Sequence, residues 1–283
     1  MPTVSNLRPS PIAGTWYEGD PKRLTQSVDR YLDQAELPEF TGEVIAVIAP
    51  HAGHRYSGPV AGYAFAAVRG SKPDLVAVIS PMHHPYHQPL LTSAHNGYAT
   101  PLGSILIDHQ AVDEMDAILK KELGYGLTAV SSDPEHSLEI ELPFLQRALA
   151  SEFHLLPVMV RAQEPEVSKA LGEALAKILH GRKSLLVAST DLSHFHPQDI
   201  AQSLDTEMLK QVENFSPEGL FKAEASGKGS ACGLGAVAAV LWAARDLGAD
   251  SVKILRHATS GDVTGDFSSV VGYGAAIVLK TKS

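Results

Sequence analysis

The sequence predicts an α/β layered fold, with a central mixed and largely parallel β-sheet flanked by helices. Three observations carry that expectation. Short, continuous apolar runs recur at Val44–Ala49, Leu75–Ser80 and Ser184–Ser189. They lack the polar alternation of a half-wet strand, so they read as strands buried on both faces. Helical stretches separate them, which is the pattern of β-α alternation. Finally, 283 residues with 44% hydrophobic and 19% charged is the make-up of an ordinary globular chain with a large core.

Taken in order, "VIAVIA" (44–49) is a strand ended by Pro50, and "SGPVAGYAFAAV" (57–68) is a small-residue helix able to lie close on a sheet. "LVAVIS" (75–80) is the second buried strand. Asp108–Leu123 is an amphipathic helix of ordinary length. Phe153–Val160 reads as a strand, although Pro157 argues against a central position because it lacks a ladder donor. Glu166–Leu179 is a helix with Gly181 as its stop, and "SLLVAS" (184–189) is another buried strand. Gly233–Leu247 is a mostly apolar helix, and Val252–Leu255 and Ser268–Leu279 are two closing strands. No repeat, low-complexity tract or linker divides the chain, so residues 1–283 are expected to form a single domain.

Composition excludes several classes. The formal net charge is −9 and no Lys/Arg-rich run occurs, which argues against nucleic acid as a partner. No apolar stretch approaches the roughly 20 residues that cross a bilayer, so no membrane association is expected. The start, "MPTVSNLRPSPIAGTWYEGD", lacks the apolar core of a secretory signal. Cys232 is the only cysteine, so no internal disulfide forms, and the cytoplasm is the expected compartment.

The 13 histidines are the compositional oddity. In open α/β sheets, ligands bind beyond the carboxyl ends of the strands. "PHAGHRY" follows the first buried strand, "PMHHPYH" the second and "TDLSHFH" the strand at 184–189. If these strands are parallel neighbours, His51, His83 and His194 converge on one rim. His54, His87 and His196 read as supporting or surface residues, and His84 lies at the pocket edge. Cys232 precedes an apolar helix, where the dipole and free N–H groups favour a thiolate. It fits a small buried hydrophobe equally well, and only Gly229, Gly233 and Gly235 around it tip the reading toward a pocket. In "DPEHSLEIELPF", Glu135, His136 and Glu139 lie at the start of an expected helix, with His136 and Glu139 spaced to share a face. Tyr56 is either a phenol at the pocket edge or a structural residue.

Together these segments resemble the Memo family. "AGTWYEGD", "IAPHAGHRYSG", "SPMHHPYHQPL", "DPEHSLEIELPF", "STDLSHF" and "SACGLGA" match its motifs in order over nearly the whole chain. The chain departs from the family pattern at His54, where tyrosine is usual, and at Gly235–Ala236. The family is similar in fold to the class III extradiol dioxygenases, which are non-haem iron enzymes. The resemblance implies His51 and His83 as metal ligands and Cys232 as the third. It implies His194 as an acid/base with Asp191 beside it, and His136 as part of a further pocket motif. A metal ion is then the implied cofactor, Fe(II) or Cu(I) first and zinc next. The implied function is a metal-dependent redox protein or oxygenase-like enzyme acting on a small molecule. The alternatives are metal handling without turnover and a peptide-binding module, for which Arg55 is the one nearby cation. AMMECR-type and radical-SAM proteins are the pathway partners the resemblance suggests.

Overall fold

The computed structural model describes residues 5–281, so the expectation about the amino-terminal stretch falls partly outside the described residues. Among those residues the large sheet has nine strands. They are β1 (Glu43–Ala49), β2 (Leu75–Pro81), β3 (Leu90–Ser93), β4 (Thr128–Val130), β5 (His154–Val160), β6 (Ser184–Ser189), β7 (His194–His196), β8 (Ser251–Thr259) and β9 (Val270–Lys280). Their spatial order is β7-β9-β1-β6-β2-β5-β3-β4, with β8 also paired to β9. The four central strands β1, β6, β2 and β5 are parallel. The sheet is mixed because β9 is antiparallel to β1 and β3 is antiparallel to β5. Leu7–Arg8, Gly97–Thr100 and Gly103–Leu106 form a separate three-stranded sheet.

Eight helices of seven or more residues flank the sheet among the described residues: α1 (Pro21–Asp33), α2 (His54–Ala66), α3 (His109–Leu123), α4 (Leu142–Ala148), α5 (Pro165–Leu179), α6 (Gln198–Glu213), α7 (Pro217–Ala225) and α8 (Leu234–Asp246). The side-chain period of two in a strand sorts the core into two layers. Val47, Val76, Val78 and Val187 face α1, α2 and α4, in a cluster with Leu24, Phe65 and Phe144. Ile48, Ala77, Ile79 and Leu186 face the other way, toward α3, α5, α6, α7 and α8. No helix among the described residues is long and apolar enough to cross a membrane.

Two expectations are corrected. The helix after β1 begins at His54, three residues earlier than its composition suggested, so His54 is helical and buried. Pro157 does sit inside the sheet, opposite Val78. Its carbonyl accepts from Thr92 Oγ1 at 2.8 Å, on the side where pairing with β3 has already ended. The missing N–H therefore faces a place that asks for no ladder bond.

Candidate metal centre

The order β1-β6-β2 brings three carboxyl-terminal loops to one rim. The first follows Pro50, which ends β1. Gly53 then lets the chain turn under the Trp16 carbonyl, 3.3 Å from where a Cβ would stand, and the His54 N–H donates to that carbonyl at 2.8 Å. His51 is thereby held at the sheet edge and is fully buried. Its Nδ1 lies 2.9 Å from Ser189 Oγ at the end of β6. Ser189 donates onward to the Ser137 carbonyl, and Glu141 Oε1 lies 2.6 Å away. Burial raises the Glu141 pKa well above the carboxylate range, only partly offset by Ser189, so its proton points to Ser189. Ser189 Oγ can then accept from His51 Nδ1–H, which leaves the Nε2 lone pair facing the site.

His83 follows β2. Its Nδ1 lies 2.9 Å from Glu135 Oε1, and its backbone N–H donates to Glu135 Oε2 at 2.6 Å. The same carboxylate receives the N–H groups of His136 and Ser137. It lies 3.2 Å from His136 Nδ1. Burial alone would raise the Glu135 pKa. The hydrogen bond and charge of His83, followed by the Ser137 N–H, instead hold it well below the usual carboxylate range. One ionised carboxylate thus turns the Nδ1 edges of two imidazoles toward itself and frees both Nε2 atoms. The two rings stack with centroids 4.8 Å apart.

His51, His83 and His136 each offer a ligand atom, and these atoms lie within 4.8 Å of one another. Burial lowers the His51 pKa, assisted by the charges of His136 and His83. Burial likewise lowers His136 to about 4, against the pull of Glu135. Neutral imidazole is the form that binds a metal, so the donor set suits one cation.

Cys232 Sγ lies 3.1 Å from His51 Nε2 and accepts from the Asp191 N–H at 3.3 Å. Gly233 permits this approach, because a Cβ there would stand 2.4 Å from the Ser189 carbonyl. The expected thiolate is corrected. Burial, then the charge of Asp191, push the thiol pKa well up, outweighing the backbone donors. Desolvation defeats the helix dipole here, and the thiol is the resting form, with its proton toward His51 Nε2.

Asp191 does not orient His194, as its position beside that ring had suggested. Its Oδ1 instead accepts the N–H groups of His51 (2.7 Å) and Ala52 (3.3 Å), tying the β1 loop to the β6 loop. Burial raises its pKa to about 7 against those two donors. The His194 ring is held by the Leu192 carbonyl at 2.8 Å from Nδ1, so Nδ1 carries the proton and Nε2 is the basic atom. Burial lowers its pKa.

Glu139 leaves the pocket reading as well. The segment is an extended turn and a short 3-10 helix rather than an α-helix start, so Glu139 and His136 do not share a face. Glu139 instead pairs with Arg8 and accepts from Ser10 and from Tyr17 at 2.7 Å. His84 is half-buried beside His83, and Tyr56 is an exposed residue lining a neighbouring cleft. Arg8 escaped sequence reasoning, and Glu135 was named within its motif without its role of holding the two imidazoles. Only the acidic density of "DPEHSLEIE" hinted at a buried cation.

Fold and site together define a class of protein: an α/β chain with a three-histidine donor cluster at the carboxyl rim of a parallel core. The chain belongs to the family described as Memo-like protein, whose profile matches residues 8–277. A MEMO1 family protein of Nitrosopumilus maritimus is 33% identical over 273 residues, covering 95% of this chain and 98% of that one. One from Methanothermobacter thermautotrophicus is 35% identical over 276 residues, covering 94% and 98%. An uncharacterized protein of Escherichia coli K12 is similar in fold, with a TM-score of 0.51 at 12% identity over 83% of this chain and all of that one.

Proposed function

We propose that this protein holds one transition-metal ion at His51, His83 and His136 and acts as a metal-dependent oxidoreductase on a small molecule. The observation that supports it is the convergence of three imidazoles whose ligand atoms lie within 4.8 Å of one another. Fe(II) and Cu(I) suit imidazole with a thiol at hand, and zinc is the alternative ion. Cys232 is the additional donor. Its proton must leave for the sulfur to bind, so uptake through Cys232 releases a proton. The ion would supply Lewis acidity and, if iron or copper, electron transfer. The chain supplies the rest. Glu135 and Ser189 fix the ring tautomers. His194, with Nδ1 tied to Leu192, offers Nε2 as a base or returns the proton as an acid. AMMECR-type and radical-SAM proteins remain the proposed pathway partners.

Elemental analysis after purification without added metal, followed by Fe(II), Cu(I) and Zn(II) titrations, tests this reading. About one equivalent of metal is expected. Affinity should fall by roughly 10-fold or more in His83→Ala and His136→Ala, in line with the loss of a ligand or its support. Unchanged affinity in both variants would refute the site.

A further inference from the structure

Six large hydrophobic side chains are markedly exposed among the described residues, and five of them lie at or beside one cleft. Trp16, Tyr56 and Phe195 line one cleft of about 490 Å³. Val263 and Phe267 belong to the 260–269 segment, which contributes Ser260, Thr264, Asp266 and Ser269 to its lining. Isolated exposed apolar residues need no explanation, but a cluster around a cavity of ligand size does. The cleft adjoins the histidine cluster. The Trp16 ring lies 4.1 Å from the His136 ring, and Phe195 meets His194 edge-on at 5.6 Å.

Phe195 is the most informative of the three. Its φ is +63°, in the left-handed region that a bulky side chain seldom adopts. Its ring is 74% exposed, so little burial rewards that strain. A strained backbone presenting an aromatic ring to an open cavity is a hallmark of a binding device.

The charge of the wall is one-sided. Thr15, Ser260 and Ser269 contribute hydroxyls, and Asp266 is the sole charged lining residue among the described residues. Its Oδ1 accepts from the N–H and hydroxyl of Ser268, which keep it ionised. Among the described residues no lysine or arginine pairs with it. Arg55 lies 5.8 Å over the Tyr56 ring and does not line the cleft. Aromatic faces carry negative potential and attract cations, and a carboxylate adds to that field.

We propose that the cleft binds a planar aromatic molecule carrying a cationic amine, with the ring among Trp16, Tyr56 and Phe195 and the ammonium toward Asp266. This rests on the proposed function for its location, as the substrate class of the same site, but recognition itself does not require the metal.

Intrinsic fluorescence gives the test, because Trp16 lines the cleft whereas Trp242 is buried against Phe221. Full-length protein stripped with chelator is titrated with tyramine, 4-hydroxyphenylacetate and butylamine, and each titration is repeated by calorimetry. Tyramine should bind saturably and about tenfold tighter than 4-hydroxyphenylacetate, and butylamine should bind weakly. Asp266→Asn should reduce the tyramine preference to about threefold or less, and Phe195→Ala should weaken the binding of both ring compounds by about fivefold or more. Because Phe195 is exposed, its removal leaves the core intact. The proposal is overturned if the carboxylate binds as tightly as the amine, if butylamine matches tyramine, if no ring compound binds at millimolar concentration, or if Phe195→Ala changes nothing. Tyramine binding in a protein that takes up no metal would sink the metal reading alone, and metal uptake without ring binding would sink only this one.

Discussion

His54 should make this protein sensitive to mild acid. Its ring is buried between Tyr17 and Phe144, at centroid distances of 5.4 and 4.8 Å, with Nε2 donating to the Ile140 carbonyl at 3.0 Å. Among the described residues Nδ1 has no partner, which fits a neutral ring. Burial lowers the pKa to about 4, against the pull of the Ile140 bond, whereas the unfolded chain titrates near 6.5. The folded state therefore binds the proton less well. Stability is fully present above pH 6.5, begins to fall below it, and goes on falling until the pH passes about 4. At pH 4.5 the loss from this one ring is about 2–3 kcal/mol, from one pKa unit per 1.36 kcal/mol. Phenylalanine at this position keeps the ring stacking but forfeits the Ile140 hydrogen bond, worth about 1 kcal/mol. His54→Phe should thus be about 1 kcal/mol less stable than the parent at pH 7.5 and about 1–2 kcal/mol more stable at pH 4.5. Urea unfolding followed by circular dichroism at both pH values measures it, because every other titrating group is common to the pair and cancels. A difference that stays constant within about 0.5 kcal/mol between the two pH values would refute the reasoning.

Other perturbations have equally definite outcomes. Arg8 is 1% exposed and binds both Asp133 oxygens, Glu139 and the carbonyls of Asp133 and Glu135. Arg8→Met strands two buried carboxylates and should cost roughly 3–5 kcal/mol in urea unfolding, whereas a loss under about 1 kcal/mol would mean the network is dispensable. Glu135→Gln should leave the fold intact but weaken metal binding by roughly 10- to 100-fold, read by competition titration, since the oxygen that aligns His83 and His136 loses its charge. Gly233→Ala would place a Cβ 2.4 Å from the Ser189 carbonyl. It should lower stability by about 1–3 kcal/mol. It should also shift the reactivity of Cys232 toward a thiol probe, and identical probe kinetics would show that the turn tolerates a side chain.

Much of the fold was legible because burial writes a local signature. The runs at 44–49, 75–80 and 184–189 are apolar throughout except for serines at their ends, and the structure uses them as β1, β2 and β6 at the centre of the sheet. The helices α1, α6 and α7 went unread. Their buried residues are few, such as Leu24, Val28 and Leu32 in α1, and a mostly polar surface hides that stripe. The short strands β3, β4 and β7 lacked the length that makes a period visible. For the site, strand ends marked His51 and His83. His136 stood out as part of an acidic motif and, through the family resemblance, as a pocket residue, but nothing local showed that it would join them.

What the sequence by itself determined is the layering and the rim. Apolar strands must be covered on both faces, and the polar or proline-led segments just beyond their ends leave the sheet as loops, so chemistry-bearing residues in those loops gather at one edge. What only the tertiary structure decided is how those residues stand. Whether Cys232 is thiol or thiolate, whether Asp191 holds a loop or a ring, and whether Glu139 faces the histidines or Arg8 depend on desolvation and on partners from remote segments. Such energies arise from three-dimensional proximity, which no local pattern of residues encodes.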